Sequence, residues 1–506
     1  MASAGLRQCI RDVTPYLVFI IFVSTFGPLQ FGFHLSELNA PQDVLTCAVK
    51  SVADHVASQP DTSLPQCIPM NEAQFALISS MYVLGGFIGA LVAGPVSTQF
   101  GRLLAMRITS VFFILGSSLE TLSGTVPLMS AGRCLSGIGA GAATVIVPIY
   151  ISEVAPPNER GLFGSMTQVT INIGLLITQT LGFYLSTGSS WRIILGVGIG
   201  LGFAQGIGLF FVPESPAWLA AHKDPEQAVK TLQRIRGAGN SIAEEIQHWD
   251  VPAGLVDDEA ATSLLRDPEA PTRRDSSHSK SSSTKTVEHV GFFAIIKDPQ
   301  YRPAIIAMIG IMFAQQFCGI NSVMMYSVSL LRGVIPMSSS LLTIMISAVN
   351  LIATVACSPL ADKIGRKTCL LLSIAGMGSS SLVLAISLRM EVKVLSAISV
   401  LSFVGFFATG LGPVPFLIAS ELVGTEAVGA TQSWALAANY IFTFLIAQFF
   451  PILNTILNEK LGGKGWAYFG FTIFAAISFA FVGAYVPETK GKKDADEVWG
   501  RTRRVD

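Results

Sequence analysis

The sequence predicts an all-α membrane protein: twelve transmembrane helices in two six-helix pseudo-repeats around a central cavity. Three observations predict it. The 506-residue chain is 51% hydrophobic and only 13% charged, about half the charge of an average soluble domain. Apolar stretches of roughly 20 residues, the length that crosses a hydrocarbon core, recur twelve times along it. Short polar motifs that follow the early stretches return in register six spans later.

The predicted spans begin near Val13, Gln74, Leu104, Leu128, Gly161 and Trp191, and resume near Tyr301, Met337, Thr368, Val394, Gly429 and Gly465. The run from Leu17 to Phe26 continues into a Gly-rich stretch with no small-residue cleavage site, so it reads as a first span rather than a cleavable signal. Four regions follow: 1–212 (first bundle), 213–300 (linker), 301–487 (second bundle) and 488–506 (tail). Within the linker, Ala228, Leu232, Ile235 and Ile242 at near-helical spacing predict short amphipathic helices at the membrane face. Residues 271–286 (PTRRDSSHSKSSSTKT) are too poor in apolar side chains to fold alone, and read as a flexible linker in preference to a phosphorylation cluster.

Basic residues set the orientation. Arg7, Arg11, Arg102, Arg107, Arg160, the linker, Lys363, Arg366, Lys367 and Lys490 to Arg504 fall on one side of a twelve-span map. The opposite side holds chiefly Lys50, Arg332, Arg389, Lys393, Lys460 and Lys464. The positive-inside rule then places both termini and the linker in the cytosol, and the long loop between the first two spans outside or in a lumen. Cys47 and Cys67 share that loop and are candidates for a disulfide if it faces an oxidising space. Cys134, Cys318, Cys357 and Cys369 sit in apolar runs and read as small buried residues. No N-x-S/T sequon occurs.

Other classes are disfavoured. Formal net charge is zero, so no footprint for nucleic acid appears. No nucleophile–base pair, metal cluster or phosphate loop is present, so neither an enzyme nor a cofactor or metal is expected. The GxGxG at 137–141 lies inside a span, where its glycines serve helix packing rather than nucleotide binding.

The repeat is specific. GPVSTQFGR (94–102) is echoed by SPLADKIGRK (358–367), Glu153 by Glu421, and Pro213-Glu214-Ser215 by Pro487-Glu488-Thr489. Repeated halves suit a transporter in which one half rocks against the other around a midplane site.

PIYISEVAPPNERG (148–161), PESPAWL (213–219), QQFCGINSVMMYS (315–327), ADKIGRK (361–367), GLGPVPFLIASEL (410–422) and PETKG (487–491) together resemble the sugar porter family of the major facilitator superfamily. FGFHLSELNAPQ (31–42) looks like the first helix of animal-type facilitative glucose carriers. The resemblance covers essentially the whole chain outside the linker. It implies transport of a hexose or related sugar or polyol by a monomer in a plasma or vacuolar/lysosomal-type membrane. It also implies sugar-binding amides at Gln168, Gln315, Gln316, Asn321, Asn350 and Asn439, with Phe416 where the family usually has Trp. Amides suit a sugar because each offers donors and acceptors without charge. Gln315, Gln316 and Asn321 face one cavity only if the helix breaks, which Gly319 permits. Further departures are Ala408, for a family polar residue, and Thr443, where a ligand amide is common. The resemblance also implies a cytosolic latch between the halves, built from Arg102, Glu153, Arg160, Glu214, Asp362, Arg366 and Glu421. Thr98, Ala217 and Val428 replace charged family residues and predict a thinner lock.

Proton-linked sugar porters carry an Asp in the first span near an Arg of the fourth. Here Arg133 is kept but His34 stands at the Asp position, with Glu37, one turn further on, the only acidic residue nearby. His34 reads as a cavity-lining polar residue, and facilitated diffusion is the expectation. The alternatives are a proton symporter using Glu37 and His34, a non-transporting sensor of the same fold, and a carrier of another solute. An anionic solute would need a cavity cation, which only Arg133 offers.

Overall fold

The computed structural model describes residues 13–48, 64–156, 159–222, 224–237, 242–246, 294–331, 339–357, 360–424, 427–492 and 495–500. Arg7, Arg11, Lys50, Arg332 and the 271–286 segment lie outside them. Among the described residues the regular structure is helical throughout, with no strand.

The first six spans are Pro15–Ser36, Glu72–Phe100, Arg102–Thr121, Val126–Val154, Arg160–Leu185 and Trp191–Gly208. Span 7 is Arg302–Phe317 plus Ile320–Leu331, span 8 Ser339–Cys357 and span 9 Arg366–Arg389. Span 10 is Lys393–Thr409 plus Val414–Glu421, span 11 Val428–Leu461 and span 12 Trp466–Tyr485. Apart from span 8, which is described only from Ser339 onward, each starts within two residues of its predicted position. Ten of the helices are long and apolar enough to cross a membrane. The exceptions are span 8, apolar but short over the described residues, and span 5, which carries Thr167, Gln168, Thr170, Asn172, Thr178, Gln179 and Thr180.

Local chemistry fixes the ends. The Thr14 side chain accepts from Leu17 N ahead of Pro15 at the start of span 1, and Asn71 with Gln74 forms a reciprocal capping box on span 2. Lipid gives helices no hydrophobic reason to associate, so close contact relies on small residues. A Cβ added to Gly85 or Gly89 of span 2 would lie 2.1 Å from the carbonyl oxygens of Cys134 and Ile138. One added to Gly137 or Gly141 of span 4 would lie 2.1 Å from Tyr82 O or 1.9 Å from Gly86 O. Backbone therefore packs on backbone, as the GxGxG reading expects.

The two halves meet along spans 2 and 11 and along spans 5 and 8, pairs that the six-span repeat exchanges. The contacts include Ser80 Oγ donating to Gln448 Oε1 at 2.7 Å and the Thr144–Tyr440 hydroxyl pair at 3.2 Å. At the face bearing the long loop, Asn39 Nδ2 donates to Ser327 Oγ at 2.9 Å and to Met324 O at 3.2 Å. Thr455 Oγ1 donates to Glu72 nearby at 2.9 Å. In that loop Cys47 and Cys67 are joined in a disulfide, and Trp191 Nε1 donates to Gln66 O at 2.7 Å. Cys318 and Cys369 are buried as expected, whereas Cys134 and Cys357 are only half-buried, because each lies on a span face with less cover.

On the opposite, linker-bearing face, helix Pro225–Arg236 is capped by Asp224 and buries Ala228, Leu232 and Ile235. Thr14 Oγ1 donates to Ile235 O at 2.7 Å, and Arg236 donates to Val154 O at 2.6 Å while pairing with Glu245. The amphipathic segment is thereby pinned to the ends of spans 1 and 4.

Gly141→Leu should drive a side chain into the Gly86 carbonyl. We expect destabilisation by about 3 kcal/mol, the upper end for overpacking, read as a lower melting temperature and lower yield of monodisperse protein. Unchanged melting would contradict the packing.

Candidate functional site

Two breaks prepare the amide cluster. Span 7 stops at Phe317, turns through Gly319 at φ +100°, and restarts at Ile320; this left-handed backbone favours glycine. Span 10 stops at Thr409 and restarts at Val414. The carbonyl of Leu411, freed by that second break, accepts from Gln315 Nε2 at 2.6 Å. Gln315 Oε1 accepts from Asn439 Nδ2 at 2.5 Å and from Gln316 Nε2 at 3.2 Å. Asn321 Nδ2 donates to Gln316 Oε1 at 2.5 Å and to Thr443 Oγ1 at 3.3 Å. The break at Gly319 thus brings Gln315, Gln316 and Asn321 into one network, and Asn439 and Thr443 of span 11 complete it.

The other two amides belong to a second cluster at the seam. Asn172 Nδ2 donates to Thr354 Oγ1 at 2.8 Å across the halves. Its Oδ1 accepts from Asn350 Nδ2 at 3.2 Å and from Gln168 Nε2 at 3.4 Å. Asn172 escaped the sequence reading, although it follows Gln168 by four residues on the same helix face. Asn350 Oδ1 is buried with no hydrogen-bond partner. Phe416 is 43% exposed and Ala408 is buried.

The first half holds a separate charged group. Arg133 Nη1 pairs with Glu37 Oε1 at 2.5 Å and donates to His34 O at 2.6 Å. His34 Nδ1 lies 2.9 Å from Glu37 Oε2. Two expectations need correction. His34 is 0% exposed, stacked on Phe113 at 5.5 Å, so it does not line an open cavity. Glu37 has acidic company as well: Glu120 of span 3, bonded to Ser136 Oγ at 2.7 Å, faces the same group. A lone carboxylate in an apolar span is a functional signal in itself, and that signal was available.

The linker-face charges form one constellation in each half. Arg102 pairs with Glu153 at 2.7 Å, and Arg366 with Glu421 at 2.9 Å. Glu214 accepts from the backbone N–H groups of Arg102 (2.9 Å) and Leu103 (3.1 Å). Glu488 accepts likewise from Arg366 (2.8 Å) and Lys367 (3.2 Å). Each carboxylate thus caps the start of span 3 or span 9. A Cβ at Gly101 or Gly365 would lie 2.3 or 2.4 Å from its oxygen. Burial raises the Glu214 carboxyl above its usual range, with the backbone N–H groups acting the other way. In this structure Arg102 and Arg366 each bond a Glu of their own half, because the spans that carry them are neighbours in one bundle. The side chains of Arg160 and Asp362 lie outside the described residues.

Two six-helix bundles, joined at an amide-rich seam and breached by broken helices, define a polytopic membrane carrier. The chain belongs to the sugar (and other) transporter family, whose model matches residues 20–497. It is 33% identical to a probable metabolite transport protein of Saccharomyces cerevisiae, over 99% of this chain and 98% of that one. It is 30% identical to facilitated glucose transporter member 3 of Rattus norvegicus, covering 96% and 92% of the two chains. Its fold matches a partially occluded, inward-open xylose transporter XylE from E. coli, with TM-score 0.72, 23% identity and coverage of 95% and 100%.

Glu153→Gln and Glu421→Gln should each cut flux several-fold while membrane abundance stays constant, because one charge-assisted pair is lost in the affected half. Normal flux in both would contradict a working role for these pairs.

Proposed function

We propose that this carrier moves a hexose or a related sugar or polyol by alternating access and facilitated diffusion, working as a monomer. One observation carries the reading. Uncharged amides from spans 5, 7, 8 and 11 gather in two hydrogen-bonded clusters, and one cluster straddles the seam between the halves. Each net hydrogen bond to a hydroxyl contributes about 0.5–1.5 kcal/mol, so several are needed to reach millimolar affinity, about −4 kcal/mol. Gln168, Gln315, Gln316, Asn321, Asn350 and Asn439 supply them, with Phe416 as an apolar surface for the ring. Facilitated diffusion fits the His34 substitution at the position where proton-linked members carry an acid.

The linker face is assigned to the cytosol. Its excess of basic residues and the disulfide on the opposite loop support the same orientation. A plasma or vacuolar-type membrane places that loop in an oxidising space.

Reconstituted protein should show saturable counterflow of labelled glucose without a pH gradient, with competition by a panel of hexoses, pentoses and polyols. No counterflow with any of them would sink the reading, and flux that requires a proton gradient would overturn facilitated diffusion. Asn350→Ala should raise the half-saturation concentration about tenfold, equivalent to about 1.4 kcal/mol, at unchanged abundance. An unchanged value would remove the seam cluster from the binding site.

A further inference from the structure

Among the described residues, every hydrogen bond between side chains of the seam cluster runs through Asn172. Its Oδ1 accepts from Gln168 Nε2 and Asn350 Nδ2, and its Nδ2 donates to Thr354 Oγ1. Both lone pairs of that oxygen are engaged and the residue is 0% exposed, so Asn172 has no acceptor left for a solute. The helix that carries it is held firmly. A Cβ added to Gly32 of span 1 would lie 2.0 Å from Ile171 O, and one added to Gly174 of span 5 would lie 2.0 Å from Leu29 O. Span 5 is therefore seated backbone to backbone on span 1 on either side of Asn172.

The consequence falls on Asn350. A planar amide that directs its NH2 at one partner turns its oxygen the other way. Asn350 directs Nδ2 to Asn172, and its Oδ1 is buried with no hydrogen-bond partner among the described residues. A buried acceptor left unpaired is destabilising, and a hydroxyl proton from a bound solute relieves it. Two other asparagines of the site are set in the same sense from within the second half. Asn321 directs Nδ2 to Gln316 Oε1 and Thr443 Oγ1, and Asn439 directs Nδ2 to Gln315 Oε1 and Met312 Sδ. Of the three, Asn350 is the one set by a residue of the other half.

We propose that Asn172 is a specificity-determining positioning residue: by holding Asn350 Nδ2 across the seam it fixes Asn350 Oδ1 as an acceptor, so the solute group facing it must be a hydroxyl that donates. The inference rests on the reading that the amide clusters bind a sugar or polyol. A hydrogen or a fluorine in place of that hydroxyl supplies no proton, and either leaves the oxygen unpaired. Because Asn172 and Asn350 lie in different halves, the requirement holds while spans 5 and 8 are in contact. When the halves part there, the Asn350 amide is free to turn over and present N–H instead. Discrimination at that hydroxyl therefore belongs to the stage of the cycle in which this seam is closed.

Competition against counterflow of labelled glucose in liposomes tests this, using glucose and its monodeoxy and deoxyfluoro analogues at each ring position. In the wild-type chain one position should lose about tenfold with hydrogen and with fluorine alike, the effect of one missing hydrogen bond. In Asn172→Leu the fluoro analogue at that position should regain several-fold over the deoxy analogue, because a released Asn350 can turn N–H to the fluorine. Asn172→Asp, which still accepts from Asn350, should keep the wild-type pattern. Fluoro analogues that match glucose at every position, or an Asn172→Leu series identical to wild type, overturn the proposal. A sugar-free arm separates it from the transport reading: thermal unfolding of Asn172→Leu, Asn350→Leu and the double variant. Their losses should not add, the combined loss falling well short of the sum, and full additivity overturns the positioning role. No competition by any sugar, with losses that do not add, would strike the transport reading and leave Asn172 as the residue that holds Asn350. Should Asn172→Leu fail to fold, the wild-type series decides alone.

Discussion

A bilayer offers backbone groups no water, so every helix break inside it must find its partners within the protein. The site depends on that constraint. The interruption of span 10 frees the Leu411 carbonyl, and Gln315 caps it from span 7. The same glutamine then orients Asn439 and Gln316. One side chain thereby secures a broken helix and organises a neighbouring polar network. Substituting it would disturb the backbone of span 10 as well as the amides, which makes Asn350, with its free acceptor, the cleaner probe of binding.

The linker-face constellations act at another level. Each Arg–Glu pair and each Glu cap ties spans of a single bundle, and the two sets repeat with nearly the same distances. Bonds confined within a half stiffen it as a body. Contacts between halves among the described residues, such as Asn39 with Ser327 and Thr455 with Glu72, are neutral on at least one side. Such a division suits rigid halves that rock about a weaker seam.

Much of this was legible in the sequence. Span starts followed from hydropathy, because length and apolarity alone satisfy the bilayer. The break at Gly319 was readable from a glycine among amides, and the repeat from motifs six spans apart. What escaped were pairings made across helices. Glu120 is distant in sequence from Glu37, and only the packing of spans 1, 3 and 4 brings them together. The partners within the linker-face charge set were hidden for the same reason: motifs reveal which charges lie on one face, but not which neighbour each will meet. Asn172 and Glu120 themselves were visible, one a turn from Gln168 and the other a lone carboxylate in an apolar span.

The central claim is that two stiff halves rock about the amide seam as the carrier works. Spin labels placed in pairs across the halves, one pair at each face, measure it by pulsed electron resonance distances in reconstituted protein. With transported sugar added, the account predicts opposite shifts, one face populating longer distances as the other populates shorter ones, while pairs within a half stay fixed. Distances that lengthen together at both faces, or that change within a half, would contradict it.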